Sequence, residues 1–427
     1  MTAAAWMHSA VRTFVSACCL ALLWGMNPAF CLARSTETNE SANALLLTIE
    51  ATGNAAEVEP EPEPWSLFNR CGQDECRGAK IRGWLGQGFT WNPDDPRDRS
   101  NGTQGMNDRA NDYQFSQLGM FAEQPLGDDA VAWDVGWRTD VMFGSDARFV
   151  QSRGFDDDWA SGTYAAWAIP QLYAEVLLPG ERGVSIQVGR FWTPLGYDGI
   201  PAADRFFYSV TNTYMFAEPS THWGGMAKIP LSERWTAQAG IVNGWDVTND
   251  NNDSPAFLGT LGWASEDETT TATGVLYLGD NSDTLDDNQM SYSLMIRRQW
   301  ERWTFLFWHD LGCAERIATA PSGASKNAQW YGVNNYLQYA IDDQVSVGAR
   351  FEWFRDDDGV LLMTAKSDNL LGPGDLFSLT CGLNYAPNSN WLLRPEVRYD
   401  WANRVTPFDD QTDKHQWTIA ADLITRF

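Results

Sequence analysis

Beyond Trp24, the 427-residue chain lacks any hydrophobic run long enough to cross a bilayer as a helix. A spanning helix needs about 20 consecutive apolar residues, and the mean hydropathy of −0.37 is that of a polar chain. The charged fraction is nevertheless only 20%, and the chain carries 22 Trp, 13 Tyr and 21 Phe. Transmembrane β-barrels combine these properties because only one face of each strand meets lipid. The composition therefore argues against a helical membrane protein and leaves a barrel open.

Positive charge is also scarce. The chain has 30 Lys and Arg against 56 Asp and Glu, which gives a formal net charge of −26 and a pI near 4.4. Nucleic acid as a partner is excluded by this balance, because phosphate backbones are bound by basic surfaces. An acidic exterior instead gathers cations. From charge alone we expect a weak preference for cations.

Cysteine and histidine are sparse as well. Outside the first 33 residues the cysteines are Cys71, Cys76, Cys313 and Cys381. Cys71 and Cys76 are predicted to form a small-loop disulfide, contributing about 2 kcal/mol. A metal site would need two more ligands nearby, and none is evident, so no metal is predicted. His309 adjoins Asp310, but neighbours on a strand point to opposite faces, so no catalytic residue is predicted.

The N-terminus is predicted to be an export signal and a spacer. Residues 1–33 combine Arg12, an apolar run over 14–24 and small residues near Ala33, which is the layout of a cleaved secretory signal. A buried helix or a membrane anchor is the alternative. Residues 34–64 end in an acidic Glu-Pro repeat that favours an extended periplasmic spacer. Residues 65–80 form a pre-barrel segment.

From residue 81 to 427 the sequence consists of segments of about ten residues with period-2 apolarity, the length of one tilted membrane strand. Seven short turns alternate with eight longer polar loops. We therefore predict an all-β fold: a transmembrane antiparallel up-and-down β-barrel of about 16 strands with a short N-terminal periplasmic extension. The predicted loops cover residues 93–112, 144–167, 193–221, 246–255, 279–289, 312–328, 355–373 and 402–413.

The alternation assigns charged side chains to the inner face of three strands, as a candidate pore wall. Two roles are open for them: they set a transverse field against acidic loop residues, or they only pair with neighbours and keep the wall wet. These wall residues are Asp134, Arg138 and Asp140, then Arg350 and Glu352, then Arg394, Glu396, Arg398 and Asp400.

The connection over residues 193–221 is the candidate constriction. It follows the fifth strand and carries Asp198, Asp204, Arg205 and Glu218. Charges in a channel are hydrated and lie in the path of permeating ions, whereas charges facing lipid are costly. An ordinary external loop is the alternative.

The last segment alternates and ends on an aromatic residue, Phe427, which resembles the signal read by the barrel-assembly machinery. Outer-membrane lipids and that machinery are therefore expected partners.

Several stretches resemble the OmpL-like β-barrel porins over residues 84–427. The resemblance implies an outer-membrane diffusion porin for small hydrophilic solutes or ions, without catalytic residues or cofactors. The chain lacks the Pro-Glu-Phe-Gly-Gly constriction motif of general porins, and a homo-oligomer is left open. The stretches are 83–85 (GWL), 111–118 (NDYQFSQL), 189–197 (GRFWTPLGY), 207–209 (FYS) and 218–224 (EPSTHWG).

Acidic loop clusters leave two alternatives open. Asp156–Asp158, 246–253, 283–287 and Asp356–Asp358 are rich in the oxygen ligands that calcium prefers, although the full pattern of a calcium-binding loop is missing. The same long acidic loops suit a surface adhesin or receptor, which is the alternative function.

Overall fold

The computed structural model describes residues 79–127, 132–159, 164–249, 254–280, 288–319, 325–364 and 367–427. The signal, the spacer and the predicted Cys71–Cys76 disulfide lie outside these residues. Within them, no helix is both long and apolar enough to cross a membrane. The architecture is a closed antiparallel barrel of sixteen strands, with a separate two-stranded hairpin, which confirms the predicted all-β class and the strand number.

Each barrel strand pairs with its neighbours in chain order, except that β13 pairs with β16 because the hairpin β14–β15 lies in the connection between them. The strands are β1 Lys80–Trp91, β2 Asp112–Gln124, β3 Asp134–Gly144, β4 Ala166–Leu178, β5 Val184–Trp192, β6 Thr221–Pro230, β7 Trp235–Val242, β8 Ala256–Ala264, β9 Thr270–Asp280, β10 Asn288–Trp300, β11 Trp303–Thr319, β12 Ser325–Ala340, β13 Val345–Asp356, β14 Met363–Thr364, β15 Ser367–Leu370, β16 Gly374–Asn388, β17 Trp391–Asn403 and β18 His415–Arg426.

The barrel closes between its first and last strands. β1 and β18 pair antiparallel, and the Phe427 backbone exchanges two hydrogen bonds with Gly83, at 2.8 and 2.9 Å. The Phe427 ring lies where a Cβ on Gly83 would be, only 2.7 Å from a ring carbon. Glycine at position 83 therefore lets the terminal aromatic ring cover the seam, and closure leaves the sheet without an exposed edge.

Short turns and long loops alternate as predicted, with one difference. The connection predicted over 312–328 is mostly strand, because β11 runs to Thr319 and β12 begins at Ser325. These two strands continue their pairing past the end of the neighbouring hairpins, with an irregularity between Ala314 and Ala318. The polar residues in that stretch belong to a hairpin that extends beyond the lipid-facing apolar surface of the barrel.

The outer face carries the apolar half of each strand's alternation. Aromatic rings form a row across β13, β16 and β17, where Trp353 and Phe377 have centroids 6.3 Å apart and Phe377 and Trp401 5.2 Å apart. Trp91 and Trp391 are exposed on the same face. Such rings are typical of the interfacial girdles of membrane barrels.

The hydrophobic core lies inside the barrel, which the sequence did not predict. Side chains of the wall, such as Met142, Val275 and Trp308, form one buried cluster with Leu195 and Phe207 from the connection between β5 and β6. Packing of this kind requires that a connection fold inward. The interior, or lumen, is thus partly filled by the chain itself.

Candidate functional site: the lumen and the connection after strand β5

The connection between β5 and β6, residues 193–220, lies inside the barrel and is called the lumen loop below. It contains a 3-10 helix, Ala202–Asp204, and one short α-helix, α1, Asn212–Ala217. Thr211 caps α1, because its side chain accepts a hydrogen bond from the Tyr214 amide at 3.1 Å. Most side chains of residues 205–214 are buried, so this segment is not an ordinary external loop.

Carboxylates of the wall accept hydrogen bonds from the backbone N–H groups of the lumen loop. Glu396 on β17 accepts from the amides of Tyr208 at 2.9 Å and Ser209 at 3.2 Å. Glu352 on β13 accepts from the Thr213 amide at 2.7 Å and from the Asn212 side chain at 3.0 Å. These carboxylates satisfy amides that would otherwise be buried without a partner, and a hydrogen bond to a charged group contributes about 1.5–3 kcal/mol.

Arginines of the wall bind the loop's carbonyl groups in the same manner. Arg350 donates to the Ser209 carbonyl at 2.8 Å, Arg398 to that of Val210 at 2.7 Å, and Arg394 to that of Arg205 at 2.5 Å. All three guanidinium groups are buried. The wall charges on β13 and β17 therefore hold the lumen loop by its main chain.

These wall residues have a contact, with the main chain of the lumen loop, that neither of the two expected roles included. They do face inward, but they are covered by the loop, so they do not keep the wall wet. Pairing with strand neighbours is also present: Arg394 binds Asp422 at 2.5 Å, and Arg398 binds Asp400 at 2.8 Å. The loop carboxylate near this wall is Asp198, 3.9 Å from Arg350. Sequence periodicity revealed the facing of these residues, but not the chain packed against them.

The predicted wall residues on β3 form a separate group that contacts neighbouring strands. Arg138 pairs with Asp140 at 2.7 Å and with Glu123 at 3.1 Å, and Asp140 also accepts from Gln171 at 3.0 Å. Asp134 accepts from the Gly127 amide at 2.6 Å. For this strand, charge pairing along the wall describes the observed contacts.

Of the four charged residues predicted in the loop, Asp198 and Arg205 are buried and Glu218 is half-buried. Asp198 accepts from the Thr211 amide at 2.8 Å and from the Tyr336 hydroxyl at 2.7 Å, which ties the loop to itself and to β12. Arg205 is buried against the sulphur of Met106, and burial lowers the pKa of its guanidinium. The oxygens of Glu218 are shielded from solvent. Asp204 is exposed.

Two further loops enter the lumen, and sequence reasoning missed both. Asp146, in the connection after β3, and Gln104, in the connection after β1, are buried. Gln104 donates to Asp400 at 2.8 Å. Gln117 on β2 donates to Asp146 at 2.8 Å and accepts from the Ala202 amide at 2.8 Å, so it joins two loops. Burial raises the pKa of Asp146 to about 6. A single sequence carries no signal for such contacts.

The interior is packed differently at its two ends. Inward side chains in the half that bears the long loops are buried around the circumference, as His222, Trp308 and Asn334 are. Nearer the short turns, inward residues such as Lys228 and Gln338 are partly exposed. Long loops are the external connections of such barrels, so the partly exposed inward residues lie toward the periplasmic end.

The acidic clusters considered for calcium engage in protein contacts where they are described. Asp156 pairs with the buried Arg190 at 2.6 Å, and Asp356 accepts from the amides of Gly359 at 2.8 Å and Leu361 at 2.7 Å. Over the described ranges, no three His, Cys, Asp or Glu side chains group as a metal site would require. Residues 250–253 and 283–287 fall outside those ranges, and calcium there stays a prediction.

Comparison with known proteins identifies this architecture. The sequence profile of the family described as beta-barrel porin-2, OmpL-like, matches residues 78–427. The chain belongs to this porin family. Family and fold are those of outer-membrane channels, and they place this porin in the outer membrane as a multi-pass β-barrel. None of the curated proteins matches it.

Solved structures share the fold at low sequence identity. The anion-selective porin from Comamonas acidovorans and OprB from Pseudomonas putida both superpose with a TM-score of 0.54 at 10% identity, over 82% of this chain and 99% and 94% of theirs. OmpT of Vibrio cholerae in its trimer form has a TM-score of 0.52 at 10% identity, covering 82% of this chain and 99% of that one. At such identity the likeness concerns the fold alone.

Proposed function

We propose that this porin lets small hydrophilic solutes or ions diffuse passively through a narrow path between the lumen loop and the barrel wall. The observation that carries the proposal is the anchoring of residues 205–213 to the inner faces of β13 and β17 by five buried charged side chains. A segment held by its backbone across a sixteen-stranded barrel reduces the open cross-section. Barrels of that size otherwise leave an aqueous channel.

The exposed charge on the lumen loop is assigned the role of selectivity residue. Asp204 is exposed, next to Ala203, whose carbonyl accepts from Arg426 at the periplasmic end of β18 at 2.6 Å. Because its side chain is exposed at that end of the lumen, Asp204 meets an ion entering from the periplasm. Asp198, Arg205 and Glu218 act instead by shaping the constriction. Selectivity in such pores depends on the charges that line the path.

Shortening the lumen loop tests the constriction. Replacing residues 198–216 by a short Gly-Ser linker should raise single-channel conductance about twofold or more in a planar bilayer, because the current follows the open cross-section. The control replaces residues 320–324, in the connection between β11 and β12, by a Gly-Ser linker. This replacement should leave the conductance unchanged. A loop-shortened barrel that is folded and has the wild-type conductance would remove the constriction from the proposal.

The tight packing of the external half also supports a second function. If that packing closed the lumen, the barrel would be suited to present its long acidic loops as a surface receptor or adhesin. A folded wild-type barrel that stays silent, together with a loop-shortened variant that conducts, would favour this second function.

We further propose that the C-terminal strand with Phe427 is the segment that the barrel-assembly machinery binds. Phe427 stands at the seam between β1 and β18, the last pairing needed to close the barrel. Removing Phe427 should lower the amount of folded protein in the outer membrane. Refolding of the purified chain in detergent needs no machinery, so it should fall much less, only by the loss of the seam contacts of Phe427.

A further inference from the structure

Glu218 stands at the end of α1, where the lumen loop returns to the wall, and its carboxyl group is buried. Neither oxygen accepts a hydrogen bond from an amide or a cationic side chain of the described residues. The carboxyl packs against Gly196, where a Cβ would lie 2.0 Å from Oε2. Its polar neighbour is the carboxyl of Asp310, which projects inward from β11 and is itself buried. Two acidic groups thus meet at the junction of loop and wall.

Among the residues that the structure describes, no cation pairs with either of these two acids. The titratable groups around Glu218 are Asp310 from β11, Asp198 from the first part of the loop and Tyr214 from α1, and none of them is basic. Asp246, in the connection after β7, adds another acid on the far side of Ser220. In the described part of the chain, neither Glu218 nor Asp310 has an ion pair. Asp310 also accepts from the indole N–H of Trp308, at 2.5 Å, and from the hydroxyl of Ser293, its cross-strand partner on β10. That hydroxyl in turn accepts from the amide of Gly196 at 2.9 Å, which places Asp310 beside the glycine that the Glu218 carboxyl contacts.

We propose that Glu218 and Asp310 share one proton, and that this carboxyl–carboxylate hydrogen bond holds the end of the lumen loop against β11. Two carboxylates in contact inside a protein do not both ionise when no counter-ion is present. Protonated Glu218 is the donor and ionised Asp310 the acceptor, so the proton simply remains on one oxygen and bridges to the other. The pair then carries a single negative charge.

The pKa of Glu218 supports this assignment. Burial raises it well above its usual value, and the neighbouring charges of Asp310 and then Asp198 raise it further. A carboxyl whose folded pKa is raised contributes to docking at acidic pH and loses that contribution as the pH rises through the folded value. The loop end should therefore be held most firmly in acid and released in alkali, when the pair carries two negative charges.

An infrared titration of the refolded barrel tests the shared proton without any need for conduction. At about pH 8, where Asp146 and Asp246 with pKa values of about 6 are ionised, the wild type should show the C=O band of one protonated carboxyl. The band should disappear at higher pH. Glu218→Gln, which keeps the shape and a donor, should lack the band. Its absence in the wild type, or its persistence in Glu218→Gln, would overturn the proposal.

Conductance against pH tests the mechanical consequence, which rests on the proposed pore function. Wild-type conductance should rise about twofold as the band disappears, whereas Glu218→Gln should stay at the low level throughout. Glu181→Gln, an exposed acid in the short turn between β4 and β5, is the control and should keep the rise. A pH-dependent rise that survives in Glu218→Gln would refute the proposal that the Glu218–Asp310 hydrogen bond holds the end of the lumen loop. A correct band in a silent barrel would instead contradict the pore function and leave the shared proton established.

Discussion

At the scale of single residues, the charged side chains of β13 and β17 bind the backbone of the lumen loop. Glu396 accepts two loop amides and Arg350 binds a loop carbonyl, so each charge is neutralised by peptide groups as well as by nearby charges. Such residues are costly to remove because their partners stay buried. Their contribution is to fix where the loop lies, which is a structural condition for selectivity.

Replacing Glu396 with Ala should therefore loosen the lumen loop. The amides of Tyr208 and Ser209 would lose their acceptor, at a cost of about 1–3 kcal/mol each. We expect a lower thermal unfolding midpoint and a larger, noisier single-channel current. Glu175→Ala is the control, since Glu175 faces inward from β4 and has no hydrogen bond to the loop among those described. Equal currents from Glu396→Ala and the wild type would show that the loop is held by other contacts.

At the scale of elements, the seam between β1 and β18 depends on a close approach at Gly83. A Cβ there would lie 2.7 Å from both the Gly119 carbonyl oxygen and the Phe427 ring. Gly83→Val should therefore displace the ring or the strand, and overpacking of this kind costs about 1–3 kcal/mol. We expect a smaller folded fraction, measured by the mobility difference between heated and unheated samples in gel electrophoresis.

Gly225 supplies a matched control for the seam. It also lies on the outer face of a barrel strand, but the nearest atom to its hypothetical Cβ is 3.7 Å away, in ordinary van der Waals contact. Gly225→Val should fold as well as the wild type. Equal loss of folded protein in both variants would indicate a general effect of valine on these strands and would contradict a special role of the seam.

At the scale of the whole molecule, the net charge of −26 favours cations, whereas most acidic groups inside the barrel are neutralised by hydrogen bonds or arginines. The preference should therefore arise mostly from exposed acids and remain modest. Exposed charges are screened beyond a Debye length of about 8 Å at physiological ionic strength. Reversal potentials measured under salt gradients should show a cation preference that weakens as total salt rises.

Asp204→Asn separates the contribution of the lumen loop to the cation preference from that of the exposed acids on the exterior. It should reduce the cation preference at low salt by removing the exposed carboxylate of the lumen loop. An anion-selective wild-type channel would contradict the expectation and would point to the basic residues near the periplasmic opening, Lys228 and Arg297, as the determinants.

How much the sequence predicts can be judged from particular residues. The alternation along Val345–Asp356 correctly placed Arg350 and Glu352 on the inner face, because a strand has a side-chain period of two wherever it lies. Turn residues correctly indicated most connections and hence sixteen strands. The contact between Glu396 and Tyr208 joins positions 188 residues apart, and no local pattern encodes that pairing.

The sequence by itself determined that this protein is a membrane β-barrel, which side of each strand is polar, and that a long charged connection follows the fifth strand. These properties depend on local periodicity and composition. Only the tertiary structure decided that this connection folds inward, that Arg350, Arg394 and Arg398 bind its carbonyl groups, and that Glu218 meets Asp310. The physical reason is that burial and distance across a closed barrel depend on the register and curvature of all sixteen strands together.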